Sequence, residues 1–338
     1  MNLVQRIEGI DQLRGLAALC VAWFHLTNQY HDWVAHTGTW GWLGVEAFFV
    51  ISGFVIPLSL AGDWQRRRGR ALPLFLVRRL VRIEPPYLAS VLLVVMLNFA
   101  AAHIPGFQGS SPAVSAAQVL AHAAYLIPLT SYEWLQPVYW TLAFEFVFYL
   151  AMAGLIGVLA STRRVPAWAC LAALLCLISL DYASPLLGLF AMGCLVFRAR
   201  TGRDSIFRTA IGIGFAGLAM AVVGAITQAM VGLLVACFIL APQSAQGVTG
   251  LAGRGLKALG TISFSIYLLH VPVGGKIVNL GQRWLASPSE HFVLSIVALV
   301  GSLLAATLFW RFVELPCMRT ASALAGYWKP AQPSPTEA

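Results

Sequence analysis

The chain has 338 residues, of which 59% are hydrophobic and only 10% charged, and its mean hydropathy is +0.77. Soluble domains run nearer to about 25% charged residues, so this composition excludes a soluble globular enzyme, a disordered chain and a nucleic-acid-binding domain. The net charge of +9 and pI near 9.6 fit the Lys and Arg excess of cytoplasmic loops better than a polyanion partner.

At roughly 20 apolar residues per span, ten candidate membrane helices can be taken in chain order. The first, 10–30, carries Asp11, Arg14 and His25. No small-residue cleavage site follows a clean apolar core, so it reads as a span and not as a signal peptide. Arg14 and His25 are eleven positions apart, almost three turns, which puts them on one face about 16 Å apart along the axis. Ionisable groups inside a span are costly and mark function by default. The alternatives are that Arg14 snorkels or pairs with Asp11, and that His25 bonds a neighbouring helix.

The second span, 42–61, reads GWLGVEAFFVISGFVIP from Gly41. Gly41, Gly44 and Gly53 allow close helix approach, while Glu46 and Ser52 add polar groups near the outer end and within the helix. The segment 62–84 differs in kind. Between Pro73 and Glu84, Phe75, Leu76, Leu80 and Ile83 alternate with Arg78, Arg79 and Arg82 at helical spacing, which predicts an interfacial amphipathic helix on the cytoplasmic face. Arg66, Arg67 and Arg68 read as plain topology signals. A third span covers 85–102. The stretch 113–130, with Gln118, His122 and Pro128, is marginal as a span.

The span 138–160 begins VYWTLAFEFVFYL. It places Thr141, Glu145 and Tyr149 in one polar stripe. Tyr139 and Trp140 suit an interfacial belt, whereas Glu145, two turns in, does not. Four further spans follow at 166–181, 183–198, 207–226 and 228–242. The ninth, 258–280, contains LGTISFSIYLLHVP, with Ser263, Tyr267 and His270 on one face; helix-packing hydrogen bonds are the alternative use of these groups. The last, 291–313, ends WRFVELP, where Arg311 and Glu314 are spaced to pair at the membrane boundary. A short tail, 317–338, ends in a Pro- and Ser-rich stretch expected to be disordered.

The basic residues orient this arrangement. If 113–130 does not cross and the N-terminus is inside, every Lys and Arg except Arg14, Lys276 and Arg283 is cytoplasmic. A crossing at 113–130 would invert the later loops and erase the asymmetry. The expectation is therefore an all-α polytopic membrane protein of about ten spans with both termini cytoplasmic. The six cysteines lie in or beside apolar runs and form no C-x-x-C pair, so they read as buried packing residues. No histidine is followed five residues later by Asp, and no H-E-x-x-H, Walker A or Rossmann glycine pattern occurs. No metal is expected.

Six segments stand together in one order: IDQLRGLAALCVAWFH, GWLGVEAFFVISGFVI, FLVRRLVRIEPPY, YWTLAFEFVFY, LGTISFSIYLLHVP and FVELP. In that combination the chain resembles the acyltransferase-3 family of integral membrane acyltransferases, from about Ile10 to Pro316. One departure is Glu84-Pro85-Pro86-Tyr87, where relatives often have a single proline. The resemblance implies a ten-helix domain over 1–316 that moves an acyl group, commonly acetyl from acetyl-CoA. The implied acceptor is a hydroxyl of a cell-surface or exported glycan, or of a macrolide or other small molecule in some relatives. It also implies a bacterial inner-membrane location and the standalone type, without an added esterase-like domain.

The residues support such chemistry in their own terms. A sugar hydroxyl needs a general base, and histidine titrates in the right range; His25 is the candidate, with Glu145 to orient it or share the proton. Arg14, Arg78, Arg79 and Arg82 suit the phosphates of acyl-CoA. Glu46, Ser52, Trp140, Tyr267 and His270 are the candidate acceptor-side residues. The rival reading is a transporter using the same intramembrane groups as a proton relay, but no internal repeat accompanies it.

Overall fold

The computed structural model describes residues 7–67, 71–103 and 114–327. Arg6, Arg68, Arg70, Lys329, the connection 103–112 beyond His103 and the Pro- and Ser-rich end lie outside the described residues, as do the side chains of Arg66 and Arg67. Every regular element among the described residues is helical.

The first five helices are α1 (Glu8–Thr27), the short α2 (Trp33–Gly38), α3 (Gly44–Arg67), α4 (Ala71–Ala102) and α5 (Ala116–Ala123). There follow α6 (Trp140–Leu159), α7 (Arg164–Ser179), α8 (Leu186–Arg200), α9 (Ile206–Val222) and α10 (Ile226–Leu240). The chain closes with α11 (Gly250–Thr261), α12 (Ser263–Leu269), α13 (Lys276–Gly281), α14 (Pro288–Phe309) and α15 (Leu315–Tyr327). Four helical stretches are long and apolar enough to cross a membrane: Trp33–Gln65, Ala71–Ala102, Pro137–Leu159 and Pro288–Leu324. The pair Gly250–Thr261 and Ser263–Gly281 makes a fifth if counted as one broken span. Large apolar side chains such as Leu92, Phe99, Val147, Leu218, Leu234 and Leu304 are exposed, as a lipid-facing surface requires. This is the architecture of an integral membrane protein.

At the centre, α8 is buried from Gly188 to Arg198 and packs on α3. A Cβ on Gly53 would stand 2.3 Å from the Phe190 carbonyl oxygen, and one on Gly193 2.2 Å from that of Val50. The two backbones thus meet through paired glycines, the small-residue contact by which membrane helices associate. The loop arginines expected to set topology include two that hold this core. The Arg198 side chain is 2% exposed, binds Asp204 at 2.5 Å and donates to the Leu159 and Ser161 carbonyls at 2.8 and 3.3 Å. Arg203 donates to the Ala160 carbonyl at 2.8 Å. Together they satisfy carbonyls left open at the C-terminal end of α6.

The structure departs from the sequence-based expectations in several places. The segment 73–84 is not a separate interfacial helix: it is the first half of α4, which runs unbroken through Pro85 and Pro86. The prolines remove only the bonds to the carbonyls of Val81 and Arg82, and enclosure by neighbouring helices makes such a loss tolerable in a membrane. The ninth span is bent by 62° between α11 and the segment after it. Its first part lies along α1, where a Cβ on Gly260 would stand 1.8 Å from the Asp11 carbonyl oxygen. Glu314 is buried and accepts from Ser265 at 2.5 Å, while Arg311 is exposed, so that pair does not form. Cys170, Cys176 and Cys237 are exposed on the apolar surface, and only Cys194 is fully buried.

The marginal stretch 113–130 gives the eight-residue α5 and a short turn. At about 1.5 Å per residue, α5 is far too short to span. It is tied to α4 through His122. Leu135 N–H donates to His122 Nε2 at 3.2 Å, so Nδ1 carries the proton and meets the Tyr87 hydroxyl at 2.8 Å. Burial pulls this imidazole down to about 4, in keeping with its neutral role. The segment from Cys317, read as a tail, continues α15 to Tyr327 and packs on α4.

Candidate active site

Five helices bring polar groups to one cavity of about 130 Å³. Arg14 comes from α1, Ser52 from α3, Arg79 and Arg82 from α4, Thr141, Glu145 and Tyr149 from α6, and Ser263 and Tyr267 from α12. Helical periodicity explains the assembly: the α6 residues recur every four positions and the α12 residues are four apart, so each set shares a face. Val45, Phe48, Phe49 and Phe264 supply apolar walls.

A second cavity of about 100 Å³ is lined by Ser59, Phe75, Arg78, Arg79, Arg82 and Met318. Arg79 and Arg82 line both cavities and stand where the two adjoin. The Arg79 guanidinium lies 5.5 Å from the Phe75 ring centroid and 5.4 Å from that of Tyr149, within cation–π range. Arg78 has a different employment: it pairs with Asp63 at 3.3 Å and donates to the Ala321 carbonyl at 3.1 Å, joining α3, α4 and α15. Arg82 and Arg14 are in electrostatic range of the buried Glu314.

Tyr149 donates to a Glu145 carboxylate oxygen. Tyr267 donates to the Val138 carbonyl at 2.5 Å and lies 2.5 Å from the Thr141 hydroxyl. These bonds fix the α6 and α12 side of the cavity lining.

His25 does not line this cavity, and neither do Glu46, Arg78, Trp140 or His270. His25 is reached from it through a file of rings. The Tyr267 and His270 centroids are 5.8 Å apart, and those of His270 and His25 5.2 Å apart. Glu145, expected to orient His25, is bonded to Tyr149, and the imidazole beside His25 is that of His270. Glu46 is 4% exposed, with one carboxylate oxygen unpartnered among the described residues. Trp140 packs against Phe49 and Phe144.

Two carboxylates were not singled out from the sequence as site residues. Glu314, read as half of a boundary pair, turns inward. Glu84 has both oxygens buried, with the Tyr125 hydroxyl as its neighbour, in a small pocket shared with Arg79 and Glu145. An acid in an apolar helix ahead of two prolines was the available signal. No group of three His, Cys, Asp or Glu that could hold a metal gathers among the described residues.

The acyltransferase domain family (Acyl_transf_3) matches residues 7–311, and the chain belongs to it. It is similar to the acyltransferase MdmB of Streptomyces mycarofaciens, with 26% identity over 99% of this chain and 96% of that protein. It is also similar to the peptidoglycan O-acetyltransferase OatA of Listeria monocytogenes, with 30% identity over 27% of this chain and 14% of that protein. No solved structure matches. The protein is an acyltransferase.

Proposed function

We propose that this protein is a ten-span membrane O-acyltransferase that moves an acetyl group from cytoplasmic acetyl-CoA to a hydroxyl of a cell-surface or exported glycan. The observation that carries the reading is the convergence of Arg14, Arg79, Arg82 and Glu145 on one cavity inside the helix bundle. Three cations and a carboxylate enclosed by apolar walls are costly unless used, and guanidinium groups match phosphate geometry. The ten spans are α1, α3, α4, α6, α7, α8, α9, α10, the broken α11–α13 unit and α14, with both termini in the cytoplasm of a bacterium and the domain in its inner membrane.

In this reading the CoA phosphates sit on Arg79 and Arg82 from the second cavity, with Arg14 beyond them and Arg78 fixing the helix that carries them. The pantetheine arm follows the polar face of α1 towards His25. The acceptor comes from the opposite side, past Glu46, Ser52 and Trp140, where Tyr267 closes the wall. Its hydroxyl oxygen attacks the thioester carbonyl carbon. The new C–O bond forms as the C–S bond breaks, the hydroxyl proton passes to His25, and His25 returns it to the departing CoA sulfur as the thiol.

A second reading, acylation of a macrolide or other small hydroxylated molecule, stays open because the relative matched along nearly the whole of both chains is named only as an acyltransferase, whereas the one named for peptidoglycan is matched over 14% of its length. Purified protein supplied with labelled acetyl-CoA separates the two. Label entering a crude surface-glycan extract supports the first, label entering only a macrolide panel supports the second, and label entering neither contradicts both.

A further inference from the structure

His270 is 0% exposed and lines no part of the cavity, so it is closed to an acceptor. Its Nδ1 lies 3.0 Å from the Ile266 carbonyl oxygen. A carbonyl only accepts, so Nδ1 carries the proton and Nε2 is left with a lone pair. That Nε2 is buried and has no hydrogen-bond partner among the described residues, an arrangement that costs free energy unless it serves something.

The ring facing it is His25, 5.2 Å away between centroids and tilted by 46°. Two imidazoles at that separation can share an N–H···N hydrogen bond of about 2.9 Å after a modest ring rotation. His25 is half-buried, and no hydrogen bond holds its ring among the described residues. It is therefore free to make that rotation.

The backbone is arranged for this approach. Residues His270–Gly275 form a π-helical turn, a rare widening of the helix that recurs at functional sites. Gly274 lets the turn close on α1 and α14: a Cβ there would stand 2.6 Å from Leu26 Cδ2 and 2.3 Å from Ser302 Oγ. Leu26 is the neighbour of His25 in α1, so the glycine contact and the imidazole contact belong to one docking of the turn on α1.

We propose that His270 is a positioning residue for His25. Its Nε2 accepts the N–H of one His25 nitrogen, which fixes the His25 tautomer and leaves the other nitrogen with a free lone pair to take the acceptor proton. Neutral His270 also steadies the His25 imidazolium until the proton returns to the CoA sulfur. This rests on His25 as the base in the reading above, and it replaces acceptor contact as the role of His270.

The test compares wild type, His25→Ala, His270→Phe and His270→Gln as purified full-length proteins, with acetyl-CoA and a surface-glycan extract. Gln places a carbonyl oxygen near the Nε2 position and can accept; Phe keeps the shape and cannot. The expected result is kcat reduced roughly tenfold to hundredfold in His270→Phe, the range felt when an imidazole loses its orienting partner. Both KM values stay unchanged, and His270→Gln recovers to within about threefold of wild type. CoA binding by all four proteins reports that they are folded. Equal activity in Phe and wild type, equal loss in Phe and Gln, or a raised acceptor KM with kcat intact overturns the positioning role while leaving His25 as the base. Full turnover by His25→Ala overturns the base itself, and the inference with it.

Discussion

Tyr149 donates its hydroxyl proton to Glu145, one turn earlier on α6, while its ring stacks under the guanidinium of Arg79. One side chain thus holds the carboxylate of the cavity and one of its cations. The two contacts use different parts of Tyr149 and are separable. Tyr149→Phe keeps the ring and loses the hydroxyl, so it lowers turnover by about tenfold, the scale of one hydrogen bond to a charged group. CoA affinity changes little. Arg79→Lys loses the planar stack and the forked donor set, so calorimetry shows CoA affinity falling by about tenfold.

Arg198 and Asp204 form a buried pair; removing Arg198 leaves the Leu159 and Ser161 carbonyls without this donor and the buried carboxylate with only the more distant Arg164, at 3.7 Å. Arg198→Met is expected to cost about 3–5 kcal/mol, as for breaking a buried ion pair from one side. Thermal unfolding in detergent reports this as a midpoint lower by several degrees. The exposed Arg208 is the control: Arg208→Met stays within about 0.5 kcal/mol.

The contact of α3 with α8 is set by Gly53 and Gly193, with no room for a methyl group against the Phe190 and Val50 carbonyls. Gly53→Ala is expected to destabilise by about 1–3 kcal/mol through overpacking. It also reduces turnover, because Ser52 adjoins it on the cavity wall. Gly154→Ala, where a Cβ meets nothing within 4 Å, leaves both properties unchanged.

On the far side of α1, Asp32 caps α2 and meets His291 Nδ1 at 2.7 Å, with Tyr30 stacked on the imidazole at 4.4 Å. The hydrogen bond from His291 holds the Asp32 carboxyl below the usual carboxylate range. A depressed carboxylate stabilises the fold above its unfolded-state pKa, and that stabilisation is lost as pH falls through the lower folded value. Wild type therefore loses thermal stability in acid more steeply than Asp32→Asn does. Parallel acid limbs in the two proteins would show that the contact is not linked to proton binding.

Much of this was readable in the chain. The ten apolar runs fall on helices, the ninth of them broken, but only four or five stretches are long and apolar enough to cross a membrane. The polar stripe Thr141–Glu145–Tyr149 and the pair Ser263 and Tyr267 reached the cavity as the helical period required. What periodicity missed depended on neighbours distant in sequence. Arg78 carries the same local signal as Arg79 and Arg82 and lines the second cavity with them, yet its bonds to Asp63 and Ala321 keep it out of the first. Glu314 faces Ser265 instead of Arg311 because a π-helical turn over Trp310–Glu314 rotates the helix end. His25 and His270 are brought side by side by a second such turn, and neither turn leaves a simple mark in hydropathy.

The central claim is that His25 takes the acceptor proton while Arg79 and Arg82 hold acetyl-CoA. Its most direct test is acetyl-CoA turnover by the purified protein, wild type beside His25→Ala, with CoA binding measured on both. His25→Ala is expected to lose roughly a hundredfold or more in turnover, the range supplied by a positioned general base, with CoA affinity unchanged. Turnover by His25→Ala equal to wild type would contradict it.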